Sequence, residues 1–310
     1  MSGKYATERL SDDPAGIARA ADLLRGGGLV ALPTETIYGL AARADDDPAV
    51  ARIYRAKGRP GFNPLIVHVA SLASAEALAE FPDRARELAA AHWPGPLTLV
   101  LPRRRDATLA AAVTAGLPTV ALRCPAHPAM KAVLEQVGGP LAAPSANRSG
   151  FVSPTTADHV LATLDGRIDA VLDAGPCSAG IESTILAVRP DGRVELLRPG
   201  PIASEKDGAD TSAIEAPGQL ATHYAPGKPV RLAATGPAAD EFMIGFGGIP
   251  GDCTLSPSGD LAVAAQRLYA CLHHGARSGK PRIAVAPVPE EGLGLAINDR
   301  LRRAACPVEP

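Results

Sequence analysis

The stretch from Leu29 to Val69 constrains this chain more than any other. It reads LVALPTETIYGLAARADDDPAVARIYRAKGRPGFNPLIVHV. The apolar runs Leu29–Leu32 and Leu65–Val69 predict two buried strands. Between them, Asp47-Pro48 predicts a helix start, a capping acid followed by proline. Val50, Ile53 and Tyr54 share one face of that helix, and Lys57 extends the face by a turn. Gly58 suits the C-terminal cap and Pro60 bars continuation. A strand–loop–helix–loop–strand unit of this kind commits the chain to layered α/β packing. Its polar side chains fall in the two loops, Pro33–Tyr38 and Lys57–Asn63.

The flanking sequence supplies the remaining layers. Asp12-Asp13-Pro14 starts a helix with Ile17, Ala21 and Leu24 as its stripe, stopped by Gly26-Gly27-Gly28. Further helices are expected at Ser71–Glu80, Arg84–Ala91, His127–Val137 and Thr155–Leu164. Strands are expected at Leu97–Leu101, Thr119–Arg123 and Ala170–Asp173, with Ile185–Val188 and Val194–Arg198 forming a hairpin around Pro190-Asp191-Gly192. From Pro199 to about Gly227 turn formers replace apolar periodicity, as in a linker. Beyond it, strands at Val230–Ala233, Phe242–Phe246 and Ile283–Ala286 alternate with helices at Leu261–His274 and Leu293–Ala305. That alternation predicts a small second α/β unit.

Composition narrows the function classes. The chain has 310 residues, long enough for one large domain or two smaller ones, and a net charge of −2 that excludes a wholesale nucleic-acid-binding surface. No apolar run reaches ~18 residues, so no membrane span or membrane partner is expected. Nor does the N-terminus carry a secretory apolar core. The five cysteines are scattered without a C-x-x-C pair. They argue against disulfides and zinc, and for a reducing, cytoplasmic setting.

Generic catalytic motifs are missing. Gly275-Ala-Arg-Ser-Gly279-Lys280-Pro281 is one residue short of a phosphate loop. There is no G-x-G-x-x-G after a strand, no H-E-x-x-H and no G-x-S-x-G. What remains is a set of polar clusters at strand ends. Lys57 and Arg59 put an ammonium and a guanidinium in one rigid loop, which suits a polyphosphate and equally suits a solvated helix end. Ser145 and Asn147 offer a hydroxyl and an amide, or plain turn chemistry. Thr34, Thr36 and Tyr38 stand where open α/β sheets bind ligands, or cap a loop. His68 reads first as a core histidine, and Ser183-Thr184 as β-propensity. Arg103-Arg104-Arg105 reads as a solvated turn with slight promise for RNA. Arg123 closes an apolar strand and there requires an anionic partner.

Taken together, PTETIYGLAA, IYRAKGRPGFNPLIVHV, WPGPLTLVL, TVALRCP, PLAAPSANRSG, GIESTI and LLRPGPI resemble the L-threonylcarbamoyladenylate synthase family, with its YrdC-like domain. They occur in family order from roughly Gly28 to Ile202. The tail resembles the long, two-domain form, with His223-Tyr224-Ala225-Pro226 as the linker match. Pro217-Gly218-Gln219-Leu220-Ala221-Thr222 departs from the pattern by lacking basic residues. The resemblance implies a twisted-sheet YrdC-like α/β domain over residues 1–203, a linker or lid over 204–228, and a small Rossmann-like α/β domain over 229–310.

The resemblance also implies the reaction. L-threonine, bicarbonate or CO2 and ATP give threonylcarbamoyl-AMP and pyrophosphate, for modification of tRNA beside the anticodon. Magnesium would accompany ATP, and a downstream transfer enzyme would take the product. Carried over residue by residue, Lys57, Arg59, Ser145 and Asn147 form the catalytic tetrad around the triphosphate. Asn63, Thr119, Ser153, Arg198 and Tyr224 join Arg59 and Ser145 in the ATP site. Thr36, His68, Arg123 and Ser183 would hold threonine. Two alternatives carry different expectations. A carbamoyl-transfer relative would keep the ATP residues and change the threonine set. A double-stranded-RNA-binding module would bind RNA without turning over ATP.

Overall fold

The structure is a computed structural model that describes residues 6–203, 215–217 and 223–306. Of the expected linker 204–228, residues 204–214 and 218–222 lie outside the described residues.

Local signals place the first helices. In α1 (Pro14–Arg25) the Asp13 carboxylate accepts from Gly16 N at 2.8 Å. In α2 (Asp47–Lys57) the capping carboxylate is Asp46, one residue earlier than expected, because Asp46 is the last extended residue and Asp47 is already helical. Gly58 ends α2 in the left-handed conformation, φ 62°, as its position predicted.

The large sheet contains β1 (Glu8–Ser11), β2 (Val30–Leu32), β3 (Gly39–Arg43), β4 (Ile66–His68), β5 (Leu97–Pro102), β6 (Thr119–Arg123), β7 (Leu141–Ala142), β8 (Ala170–Asp173), β9 (Thr184–Val188) and β10 (Val194–Arg198). Their order is β1-β8-β2-β3-β7-β4-β6-β5-β9-β10, with parallel and antiparallel pairs mixed. β2 and β3 form a hairpin, Val30 opposite Ala41, so the Pro33–Tyr38 loop is its turn. β4 and β6 run parallel with His68 beside Arg123. β5 and β9 run parallel with Leu97 beside Thr184.

Strand alternation then decides the site. Ile66 and His68, Thr119, Ala121 and Arg123, and Ser183, Ile185 and Ala187 all point to one face. Ile66, Ala121, Ile185 and Ala187 form a small apolar cluster there, and Ala216 from the linker region is buried on it. The opposite face packs Val67, Leu99, Leu122 and Leu186 into the main core with α2.

A second sheet, order β11-β14-β12-β13, is wholly parallel: β11 (Val230–Arg231), β12 (Glu241–Gly245), β13 (Cys253–Thr254) and β14 (Arg282–Val285). The long helices α7 (Leu261–Arg277) and α8 (Leu293–Ala305) pack on each other beside it. Between α2 and α7 lie α3 (Leu72–Glu76), α4 (Asp83–His92), α5 (Pro128–Val137) and α6 (Ala157–Leu164). The two-sheet α/β architecture is the expected one.

Two expectations are corrected, the helix over Ser71–Glu80 and the absence of disulfides, and the rejection of a phosphate loop at Gly275–Lys280 stands. The helix expected over Ser71–Glu80 is a short α3, because the chain turns at Leu78 and Glu80 N bonds to Pro102 O of β5 at 2.9 Å. The Gly275–Lys280 segment is the C-terminal end of α7, where exposed carbonyls attract the Lys228 ammonium and would repel a phosphate. Cys253 and Cys271 are joined in a disulfide between β13 and α7, a pairing their spacing did not signal because the fold brings them together. That bond removes the cysteine argument for a reducing compartment. No helix among the described residues is long and apolar enough to cross a membrane.

The two sheets share one joint. Ile181 and Ile37, from loops of the large sheet, are buried in the core of the second unit. Gly180, at φ 73°, lies so close to α7 that a Cβ would sit 2.3 Å from the Gln266 Cα. Gly180→Ala adds backbone strain and a clash with a helix backbone, so a loss of about 2 kcal/mol or more is expected. Urea unfolding checks it; unchanged stability would contradict this view of the joint.

Candidate active site

The cavity opens on the face that carries His68 and Arg123. Thr34, Thr36, Arg59, His68, Arg123, Ser145, Glu182, Ser183, Arg198, Pro217, His223 and Tyr224 line it, over a floor that includes Ile66 and Ala143. Side chains from both ends of the chain therefore meet here.

One end is polar, framed by Thr34, Thr36, His68, Arg123 and Ser183. Thr34 Oγ1 accepts from Thr36 N and Ile37 N, which fixes the turn of the hairpin. Thr36 Oγ1 then accepts from Arg123 Nη1 at 2.7 Å. Arg123 Nε donates to Gly95 O, and Glu35 approaches Nη2 at 2.7 Å outside hydrogen-bond alignment. Glu35 is thus the anionic partner that a buried Arg123 requires, and sequence reasoning missed it. Glu35 does not line the cavity; its other oxygen accepts from Ala126 N at 3.2 Å. Burial, the largest influence, works to raise the Glu35 pKa, but the Arg123 charge, the close Arg123 contact and the backbone N–H donors together outweigh it and the carboxylate stays below its usual range. His68 is buried, and burial together with the Arg123 charge holds its pKa down to about 3. It is a neutral imidazole with Nδ1 unpaired. Ser183 Oγ pairs with Thr98 Oγ1 at 2.7 Å.

The other end is cationic. Arg59 donates from Nε to Asn63 O and from Nη2 to Pro64 O, and burial lowers its pKa to about 10. Arg198 donates from Nε and Nη2 to Ser183 O. Lys57 does not line the cavity: its ammonium is buried beneath the Ser145–Asn147 loop and donates to the carbonyls of both residues. Burial first, and the Arg59 charge second, depress its pKa. Lys57, Arg59 and Arg198 have no carboxylate within ion-pair distance among the described residues. A buried cationic cluster without direct ion pairs is complementary to a polyanion.

The remaining expected residues are near but behind. The Asn147 amide donates to Phe151 O at 2.7 Å, holding the loop that ends in Ser153. Ser153 Oγ donates to Glu182 Oε1 at 2.7 Å. Asn63 keeps a buried, unpaired Oδ1. Thr119 shares the cavity's face but opens β6, four residues from Arg123, and is not part of the lining. His223 Nδ1 and the Tyr224 hydroxyl are also buried and unpaired. Buried polar atoms without partners mark places where a ligand's own polar groups belong.

Glu182 was also missed. It accepts from Ser153, from Tyr269 at 2.9 and 2.8 Å, and from Arg300 Nε at 3.0 Å. Burial would raise its pKa, but Arg300, Arg198 and these donors pull it down to about 2. With both oxygens engaged, it leaves no carboxylate cage for a resident divalent cation. Among the described residues no cluster of three His, Cys, Asp or Glu side chains could hold one.

This geometry can be set beside known proteins. A family model described as "Telomere recombination" (Sua5_yciO_yrdC) matches residues 22–200. A second, described as "Threonylcarbamoyl-AMP synthase, C-terminal domain", matches residues 180–306. The Bacillus subtilis threonylcarbamoyl-AMP synthase is 41% identical over 96% of this chain and 95% of its own length. The chain belongs to the threonylcarbamoyl-AMP synthase family. The Pyrococcus abyssi threonylcarbamoyl-AMP synthase is 40% identical, covering 92% of this chain and 93% of its own. The crystal structure of P. abyssi Sua5 complexed with L-threonine superposes with a TM-score of 0.87 at 37% identity, covering 97% of this chain and 98% of that one. Membership of this family accounts for both sheets, since its two models meet where Gly180–Ile185 joins them.

Four buried imidazoles set the pH response. His68, His159 and His223 are held near pKa 3 and His273 near 4, all chiefly by burial. Their folded pKa values lie below the unfolded value of about 6.5, so unfolding takes up protons. Their stabilisation is complete above about pH 6.5 and is lost as pH falls below it, by up to ~1.4 kcal/mol per pH unit for each group. Urea unfolding from pH 7.5 to 5 should show this decline before carboxylates titrate. A flat profile would contradict four neutral buried histidines.

Proposed function

We propose that this protein makes threonylcarbamoyl-AMP from L-threonine, bicarbonate or CO2 and ATP, releasing pyrophosphate. The observation that carries this reading is the cavity's two-ended character: a guanidinium framed by hydroxyls beside a buried cation cluster without direct ion pairs. We further propose a catalytic unit over residues 1–203, a lid over 204–228 and a supporting unit over 229–310.

In this reading Arg123 receives the threonine carboxylate, while Thr36, His68 and Ser183 surround its amine and hydroxyl. The free amine captures CO2 as a carbamate and releases a proton. A carbamate oxygen then attacks the ATP α-phosphate, and the bond to pyrophosphate breaks. Such chemistry needs alignment and charge neutralisation rather than a protein nucleophile, which agrees with the missing triads. Arg59 and Arg198 face the phosphates directly beside Ser145, with Asn147, Asn63, Ser153 and Thr119 supporting the nucleotide end from behind the lining. Lys57 contributes charge from below and holds the Ser145–Asn147 loop in place. Magnesium arrives as part of the substrate, bound to phosphate oxygens and water, rather than in a protein cage.

His223 and Tyr224 line the cavity beside Pro217 of the linker region. In this reading they move for entry and close to keep water from the mixed anhydride. The product then passes to an enzyme that modifies tRNA; a cytoplasmic location belongs to the same proposal.

The test is incubation of pure protein with ATP, bicarbonate and labelled threonine. Labelled threonylcarbamoyl-AMP with an equal amount of pyrophosphate is expected. Folded protein that forms neither would overturn the reading. Arg123→Ala should raise the threonine requirement by ~1.5–3 kcal/mol, the scale of a charged hydrogen bond. An unchanged requirement would remove Arg123 from the amino-acid site.

A further inference from the structure

Arg300 lies on α8, near the end of the chain, yet its side chain is fully buried. Its helix presents Ala296, Ile297, Leu301 and Ala304 to the core, and Arg300 sits on that same face. A guanidinium on an apolar helix face stays buried only where its partners are fixed. Two of them, Glu182 and Tyr224, belong to the active-site wall, and Nη1 also bonds Asp299 Oδ2 of its own helix at 3.1 Å. Nε donates to Glu182 Oε2 at 3.0 Å, and Nη1 donates to the Pro199 carbonyl at 2.6 Å. The guanidinium carbon lies 5.8 Å from the centre of the Tyr224 ring.

Tyr224 adds an independent observation. Its φ is 64°, in the left-handed region that a tyrosine adopts only when its surroundings hold it there. The second unit supplies part of those surroundings, the Tyr269 ring of α7 at 5.7 Å and Arg300 of α8, while the first unit anchors the next residue through Ala225 N donating to Gly150 O at 2.8 Å. Tyr269 also donates to Glu182, which in turn accepts from Ser153. Glu182 therefore ties α7, α8, the Ser153 loop and the start of β9 into one network.

We propose that Arg300, acting with Glu182, is a positioning residue for the nucleotide half of the site: it fixes Tyr224 and Ser153 from the second unit, without touching substrate. The proposal rests on the synthase reading and deepens it, by giving the second unit a defined task. It predicts a split between substrates, because Thr36, His68 and Arg123 are held by β4, β6 and the Pro33–Tyr38 loop, and the Ser183 hydroxyl by Thr98 of β5 and by Arg198.

The test measures binding of a non-hydrolysable ATP analogue and of L-threonine to the full chain by calorimetry, beside turnover. For Arg300→Met, analogue affinity is expected to fall roughly ten-fold or more. Threonine affinity should stay within about two-fold. Glu182→Gln keeps the side chain's shape and gives the same split if Arg300→Met does not fold. The double variant should lose no more than the worse single variant, since the pair acts as one unit. Analogue affinity unchanged in a folded variant, or equal loss of both ligands, overturns the proposal while leaving the synthase reading intact. A wild-type protein that binds neither ligand overturns the synthase reading, and the proposal with it.

Discussion

Buried positive charge without a direct ion pair governs this molecule. Lys57, Arg59 and Arg198 are almost wholly removed from water, and their donors reach backbone carbonyls, the Asn147 side-chain oxygen and the Ser183 hydroxyl. Desolvation makes such a cluster costly, and carbonyl dipoles offset only part of that. The surrounding structure is arranged to maintain it. Gly58 turns the chain so that Arg59 follows Lys57 inward, Pro60 bars continuation of the helix, and the Ser145–Asn147 loop closes over the ammonium. Arg123, at the other end, differs because Glu35 accompanies it. The two ends of one cavity thus have different electrostatic characters, one nearly balanced and one strongly positive.

The second constraint is the joint between the sheets. Gly180 permits close approach to α7, Ile181 enters the second core, Glu182 binds Tyr269 and Arg300, and Ser183 faces the cavity. Gly200 packs tightly as well: a Cβ there would lie 2.4 Å from Thr184 N. The four-residue segment Gly180–Ser183 therefore serves as joint, core and site wall at once. The ion network of Arg189 with Glu195 and Glu215 fixes the linker region to the same edge of the sheet.

How much of this was legible followed from how local each signal is. Helix starts and stops were readable because caps act within four residues, as at Asp13 and Gly58. β3 was not, because Gly39–Arg43 is rich in glycine and alanine, without β-branched residues, and becomes a strand through pairing with β2 on one side and β7 on the other. Most expected site residues converge, including Thr36, Arg59, His68, Arg123, Ser145, Ser183, Arg198 and Tyr224. Lys57 and Thr119 sit farther back than the sequence suggested. Glu35 and Glu182 were invisible as participants, since their partners lie far along the chain. Arg300 did carry a signal: a charged residue in phase with the apolar stripe of α8.

The most direct measurement compares ATP with AMP by calorimetry on the wild-type protein. If the unpaired buried cations exist to hold a polyphosphate, ATP should bind roughly ten-fold or more tightly than AMP, with the gap narrowing as salt rises. Equal affinity for the two nucleotides at low salt would contradict the account.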